Sequence, residues 1–147
     1  MKQNLKLRGD FLVEVRSKDG KVLDRQEKRN LILTVGKVEV AKLIGGVAAD
    51  AFNAIAIGET DTGLAVGNSA LAAEVVREAV TATYEATAKI VFEKTFAFGT
   101  AESYSIVEAG IFNNSTSGGD MLNRVTFAVK SVDIDTDLYT KFTITVS

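Results

Sequence analysis

The chain opens with alternating apolar and polar positions. Residues 11–15 place three apolar side chains on one side of a period-two pattern, which is typical of a β-strand with one buried face. Asp19-Gly20 follows, and this dipeptide predicts a hairpin turn because glycine accepts positive φ. The return run over 21–28 is mostly charged, as in an exposed or edge strand. The pattern therefore predicts that residues 1–29 form an N-terminal arm and a β-hairpin.

The period of the apolar positions changes after residue 33. Thr34 is a suitable N-cap, and apolar residues then recur at nearly helical spacing until Gly45-Gly46, where a helix would end. Ser69 precedes a second, shorter run with the same kind of spacing. The spacing predicts two short helices, over residues 35–44 and 69–76.

The second half of the chain is dominated by period-two alternation. Between Val80 and Phe98 every even position except Lys94 is apolar or aromatic, and most odd positions are polar. A single strand of this length would measure about 60 Å, several times the usual length. We therefore expect a turn near Glu85. The other strand-like runs are residues 54–57, 106–112, 121–130 and 138–146.

These elements predict a mainly β protein, an antiparallel β-sandwich or barrel with two short helices inserted in the N-terminal half. We expect seven or eight strands. A chain of 147 residues is close to the usual domain size, so a single domain over residues 1–147 is expected. The predicted core comprises the even-numbered face of residues 80–98 together with Val125, Phe127, Val129, Phe142, Ile144 and Val146.

The composition argues against most enzyme chemistry. Cysteine and histidine are absent, which removes thiolate nucleophiles, Ser-His-Asp triads and His- or Cys-bound zinc. The net charge of −2 gives no electrostatic footprint for nucleic acid. The weakly polar stretch 44–57 is too short to span a bilayer, and residues 1–8 lack the apolar segment of a secretory signal. We expect a protein that is not an enzyme, needs no cofactor and binds neither nucleic acid nor membranes.

Two loop motifs resemble ligand sites but depart from their templates. The loop 58–63 has the glycine spacing of a phosphate loop, but Leu64-Ala65 stand where the lysine and hydroxyl residue are needed. Asp133, Asp135 and Asp137 alternate as in the first half of a calcium loop, without its glycine and its final glutamate. The composition favours a solvated turn there, and an irregular cation site stays open.

Two further groups of charged residues are candidates for function. Glu59, Asp61 and Glu74 could supply an acid/base pair of the kind that glycosidases use, although the chain has no tryptophan to form a sugar platform. Lys2, Lys6 and Arg8 form a basic cluster ahead of the first strand. Such a cluster is either a frayed terminus or an arm that docks onto an acidic partner.

Several stretches resemble a pattern found in small virion proteins of tailed bacteriophages. They are residues 30–37, 54–58, 71–78, 107–113 and 121–127. Such proteins are head decoration (cement) proteins or components of tail fibres and tail tips. The resemblance implies a structural protein of the virion that is made in the host cytoplasm and has no catalytic residues. It also implies the major capsid protein or other virion proteins as partners, and a symmetric homo-oligomer, with a trimer favoured.

Within this resemblance we favour a head decoration protein. It would bind the outside of the assembled capsid and stabilise it by bridging neighbouring subunits. The small size of the chain and a basic arm that could face an acidic lattice favour this interpretation. The alternative is a tail-fibre, tail-tip or baseplate component, because residues 108–112 also resemble segments of tail-collar fibre proteins.

Overall fold

The computed structural model describes residues 4–147, which form nine β-strands and one α-helix. In chain order the elements are β1 (Leu7–Ser17), β2 (Val22–Ile32), α1 (Thr34–Ile44), β3 (Ala54–Gly58), β4 (Glu74–Ala79), β5 (Thr83–Glu85), β6 (Lys89–Ala97), β7 (Tyr104–Phe112), β8 (Met121–Val132) and β9 (Thr136–Val146).

All nine strands belong to one antiparallel sheet, in the order β4-β3-β7-β8-β2-β1-β9-β6-β5. The edge strands β4 and β5 are separated along the chain only by residues 80–82, and a connection of that length spans at most about 14 Å. An ion pair of 3.2 Å joins Lys94 of β6 to Glu78 of β4. The sheet is therefore curled into a half-barrel whose two edges approach each other.

The interior of the half-barrel is a continuous apolar core. The ring centroid of Phe11 lies 4.5 Å from that of Phe142 and 5.3 Å from that of Phe127. These rings belong to β1, β9 and β8, and all three are buried. Because β1 and β8 are not neighbours in the sheet, the Phe11–Phe127 contact holds the curl of the sheet as well as the individual strand pairs.

The structure confirms the mainly β, antiparallel prediction, the opening hairpin and the first helix. The turn expected near Glu85 occurs at 86–88, between β5 and β6. The predicted cap at Thr34 is wrong in detail. Leu33 occupies the N-cap position without a capping side-chain hydrogen bond, and Thr34 is the first helical residue.

The predicted second helix over residues 69–76 is wrong. Residues 69–73 form an irregular segment, and Glu74 begins strand β4, which pairs with β3 from Gly58 to Ala54. The backbone N–H groups of Ala72 and Ala73 donate hydrogen bonds of 2.9 and 2.8 Å to the buried carboxylate of Glu108. These backbone N–H groups therefore bond to a distant side chain instead of forming the hydrogen bonds of the predicted helix.

Part of the predicted core is exposed to solvent, and each case has a structural cause. In the β7–β8 ladder Ile106 pairs with Lys130 and Glu108 with Thr126, so one residue of β7 faces three of β8. This bulge turns Val129 outward, where 55% of it is exposed. Val146 is exposed at the end of β9, and the predicted core residues Tyr84, Ala86 and Ala88 are exposed on the short hairpin of edge strand β5.

Gly36 allows α1 to pack directly on the backbone of β8. A Cβ atom at this position would lie 2.4 Å from the carbonyl oxygen of Leu122. Alanine is the better helix former by about 1 kcal/mol, but a backbone clash of this size forces the helix to move.

We therefore expect Gly36→Ala to lower the free energy of unfolding by about 1–3 kcal/mol, because overpacking outweighs helix propensity. Gly67→Ala is the matched control, since a Cβ atom there meets nothing within 4 Å. Urea denaturation of both variants measures the difference, and equal stability of the two would contradict the packing argument.

Tyr139, on the outer face of β9, has an unusual environment. Its hydroxyl donates a 2.5 Å hydrogen bond to Glu93, and the Arg16 guanidinium lies 4.1 Å from its ring centroid. Burial, followed by the Glu93 hydrogen bond, raises the pKa of Tyr139 to about 12.

Because a tyrosine in the unfolded chain ionises near pH 10, the stability that Tyr139 contributes is complete below that pH. We expect it to be lost as the pH rises from about 10 to about 12. Titration of the phenolate absorbance should show one tyrosine that ionises only near pH 12. This ionisation should be missing in Tyr139→Phe, and an unchanged titration curve at high pH in that variant would contradict the assignment.

Candidate docking surface

Several apolar side chains of α1 are exposed to solvent. Ile44 is 73% exposed, and Val38 and Leu43 are exposed as well, on different sides of the helix. Large exposed apolar side chains can mark an interaction site.

The other apolar residues of α1 face inward. Val35 and Val40 are partly buried and pack against the core, and Gly36 and Glu39 are buried. The Glu39 carboxylate accepts a 2.9 Å hydrogen bond from Lys42.

The exposed apolar residues extend beyond the helix. Leu5, ahead of β1, is 69% exposed and shares with Val40 and Ile44 a cleft of about 450 Å³. Val47 after the helix and Val66 in the loop 59–73 are also exposed, and Val66 accepts a hydrogen bond of 2.9 Å from the backbone of Thr34. We call this set the apolar surface; its members are Leu5, Val38, Val40, Leu43, Ile44, Val47 and Val66.

Two clefts lined by cationic side chains lie next to the apolar surface. A cleft of about 420 Å³ is lined by Lys6, Arg8, Arg29 and Lys37, and Ser147 also lines it. Its neighbour, of about 520 Å³, shares Arg8 and Arg29 and adds two further lysines together with Asp10 and Glu27. We call the two together the basic clefts; their cations are Lys6, Arg8, Lys28, Arg29, Lys37 and Lys141.

The structure shows where two residues of the predicted basic arm lie. Lys2 is outside the described residues. Lys6 exchanges backbone hydrogen bonds of 2.6 and 2.9 Å with Ser147, and Arg8 lies within β1 and pairs with Asp10 at 3.1 Å. From Lys6 onward this segment is therefore part of the sheet, and its cations belong to the basic clefts. Their docking role stays a prediction.

Four cations of the basic clefts were not found from the sequence. Lys28 and Arg29 lie on β2, Lys37 on α1 and Lys141 on β9. The pairing of β1 with both β2 and β9 brings the strand residues beside Arg8, and the packing of α1 brings Lys37 to the same cleft. No local pattern in the sequence could have grouped these residues.

The acidic residues considered for an acid/base site engage different partners. Glu59 accepts a 2.9 Å hydrogen bond from the backbone of Ser105, whereas Glu74 pairs with Arg77 at 2.6 Å. Asp61 is exposed and is not joined to either by a hydrogen bond in the part of the chain that the structure describes. These contacts do not test an acid/base role for the trio, which stays an untested alternative.

The three alternating aspartates lie at the turn between β8 and β9. Asp133 accepts a hydrogen bond of 2.9 Å from the backbone of Asp135, as in an Asx turn, and Asp137 pairs with Lys18 at 2.6 Å. Over residues 4–147 there is no group of three acidic side chains that could hold a metal ion. The aspartates thus stabilise the turn and pair across to the β1–β2 turn.

The most buried charges are Glu108 and Arg124, which the sequence analysis did not single out. Their side chains are 0% and 1% exposed and are joined by a 3.0 Å ion pair. In the sequence, the one sign of their role is that each is the only residue of its type within an apolar strand pattern. Buried charges of this kind are either paired or functional.

Here the pair holds the loop 59–73. Glu108 accepts backbone hydrogen bonds from Thr60, Ala72 and Ala73, and Arg124 donates to the carbonyl oxygens of Thr60 and Thr62 and to Asn68. A Cβ atom at Gly58 would lie 2.4 Å from Glu108, which explains the glycine at this position. The apparent phosphate-loop spacing therefore reflects packing around a buried carboxylate.

We expect Glu108→Gln to lower the free energy of unfolding by about 3 kcal/mol or more, because it leaves the buried Arg124 charge uncompensated. Glu27→Gln is the matched control, since the Glu27–Arg25 pair is exposed and worth at most about 1 kcal/mol. Urea denaturation compares the two variants. Hydrogen exchange at Ala72 and Ala73 should accelerate in Glu108→Gln alone, and unchanged exchange there would contradict the role of the pair.

The helix α1, of 11 residues, is too short to cross a membrane, and over residues 4–147 no helix is long and apolar enough to do so. Compared with protein-family models, with curated proteins and with solved structures, the chain matches none of them.

Proposed function

We propose that the protein is a non-enzymatic structural component of a tailed-phage virion, a head decoration protein. It binds the outside of the assembled capsid and stabilises it by bridging neighbouring subunits. The major capsid protein is the partner in this proposal. The fold class, the resemblance to small virion proteins and the apolar surface support it.

The observation that carries the proposal is the group of solvent-exposed apolar side chains on and beside α1. Exposing Val38, Leu43 and Ile44 to water is unfavourable, and covering them with a partner recovers roughly 25 cal/mol for each Å² of apolar area. The helix is packed on β8 through Gly36, so its outer face is presented on a rigid support. Such a face needs little reordering when it binds, which lowers the entropic cost of association.

Repeated weak contacts suit a lattice-binding role. One apolar face of this size gives modest affinity, but an oligomer that docks several copies at once gains strongly from effective concentration. Capsid bridging therefore does not require a deep pocket. The same reasoning applies at the tail, where a tail-fibre, tail-tip or baseplate component would also assemble through surface contacts.

The proposed function predicts that Ile44→Glu lowers binding to capsids by about tenfold or more, because a charge in the centre of an apolar contact is costly. Val129→Glu is the matched control, since Val129 is also exposed but lies on β8, away from α1. Cosedimentation with capsids that lack the protein measures both variants. Equal binding of the two would contradict docking through α1.

Copy number and position on purified virions separate the two virion roles. For a decoration protein we expect many copies distributed over the head. Gel densitometry measures the copy number, and electron microscopy of labelled particles shows the position. A few copies at one end of the particle would overturn the decoration role and support the tail alternative.

A further inference from the structure

Three connections meet at the end of the half-barrel opposite α1. Ser17 pairs with Thr136, Ala97 pairs with Asp137, and Tyr104 pairs with Val132. The β1–β2 turn, the β6–β7 connection and the β8–β9 turn therefore lie side by side. Acidic residues outnumber lysines in this group. We call these connections the acidic end; its carboxylates are Asp19, Glu102, Asp133, Asp135 and Asp137.

Most of these carboxylates lack a cationic partner. Of these five carboxylates, only that of Asp137 forms an ion pair within residues 4–147, and its partner is Lys18. Local hydrogen bonds fix several of the others: Glu102 accepts a 2.7 Å bond from the backbone of Gly99, and Ser17 donates its hydroxyl to Asp19. The acidic end is thus a preformed negative surface, and the exposed side chain of Ile134 lies within it.

The basic clefts have the opposite imbalance. Lys6, Arg29 and Lys37 have no carboxylate within 4.0 Å in the described part of the chain, while Asp10 is engaged by Arg8. The carboxylates of Asp50 and Glu85 line neither cleft. The clefts therefore present cations that no neighbouring side chain neutralises.

The two surfaces cannot neutralise each other within one molecule. Strand β1 runs from the clefts to the acidic end, and its 11 residues span about 33 Å. The Debye length at physiological salt is about 8 Å, so the attraction across one molecule is screened. A second copy can bring the two surfaces into contact, because one copy offers the carboxylates and the other offers the cations.

We propose that the basic clefts of one copy bind the acidic end of a second copy, head to tail. Contact between like ends would bring charges of the same sign together, which disfavours that arrangement. The contact between unlike ends can form twice in an antiparallel two-fold dimer, or once per copy in a ring, such as a trimer, or in an open chain. Lys6 and Lys37 also line the cleft that contains Val40 and Ile44, so the two surfaces adjoin. The contact between copies is tested with the purified protein alone, without capsids.

Charge reversal on each surface tests the contact with the purified protein alone. The cleft variant is Arg29→Glu with Lys37→Glu, and the acidic-end variant is Asp19→Lys with Asp135→Lys. We expect the dissociation constant of each variant to rise about tenfold or more, as measured by sedimentation velocity and light scattering. Glu85→Lys is the control for a charge change outside both surfaces and should associate as the original chain does.

Mixing the two reversed variants gives the decisive result. The cleft variant loses the positive charge of its clefts but keeps its acidic end, and the acidic-end variant loses the negative charge of that end but keeps its basic clefts. One intact cleft and one intact acidic end can therefore meet only between the two variants. We expect the mixture to regain association in complexes that contain equal numbers of the two variants. Circular dichroism and thermal melting check that each variant folds. If the lysine substitutions disturb the turns, Asp19→Asn with Asp135→Asn removes the charge and keeps the acceptor oxygens.

Three outcomes would overturn the head-to-tail contact. One is an original chain that stays monomeric at every concentration and at low salt. Another is undiminished association of both reversed variants, which would place self-association on a different surface. The last is a mixture that remains monomeric although each variant is folded. Failure of capsid binding in Ile44→Glu has no bearing on these results, so the two proposals fail separately.

Discussion

The ion pair between Glu108 and Arg124 is the constraint on which the N-terminal half of the fold depends. Both charges are out of contact with water, so each must be fully compensated by the protein. Glu108 gains three backbone donors and Arg124 gains carbonyl and amide acceptors, all from the loop 59–73. The loop in turn hydrogen-bonds the first residue of α1 through Val66. A buried charge pair therefore fixes a long loop and, through it, the start of the helix.

The position of α1 decides which surface the molecule offers to partners. Gly36 brings the helix against the backbone of β8, and Glu39 lies on the same inner side, paired with Lys42. Val35 and Val40 of the helix also pack against the core. Its remaining large apolar side chains, Val38, Leu43 and Ile44, are left exposed to solvent. These exposed side chains are the main support for the proposed docking role.

Antiparallel pairing along the half-barrel separates the charges of the chain into two regions. Strands β1, β2 and β9 run its full length, so their ends carry the residues of the basic clefts at one side and the acidic connections at the other. A net charge of −2 conceals this separation. Charge separation over a length greater than the screening distance favours contacts between copies that bring opposite ends together.

The sequence alone was enough to predict the opening hairpin, the first helix and every strand except β4, because period-two and helical patterns report which face of a local element is apolar. It did not determine the fate of residues 69–76, where pairing with β3 and the amide donors required by Glu108 outweigh a local helical pattern. It also could not show the bulge that exposes Val129 or the grouping of Arg29, Lys37 and Lys141 beside Arg8. These features depend on which distant strands become neighbours, and that is decided by tertiary packing rather than by local periodicity.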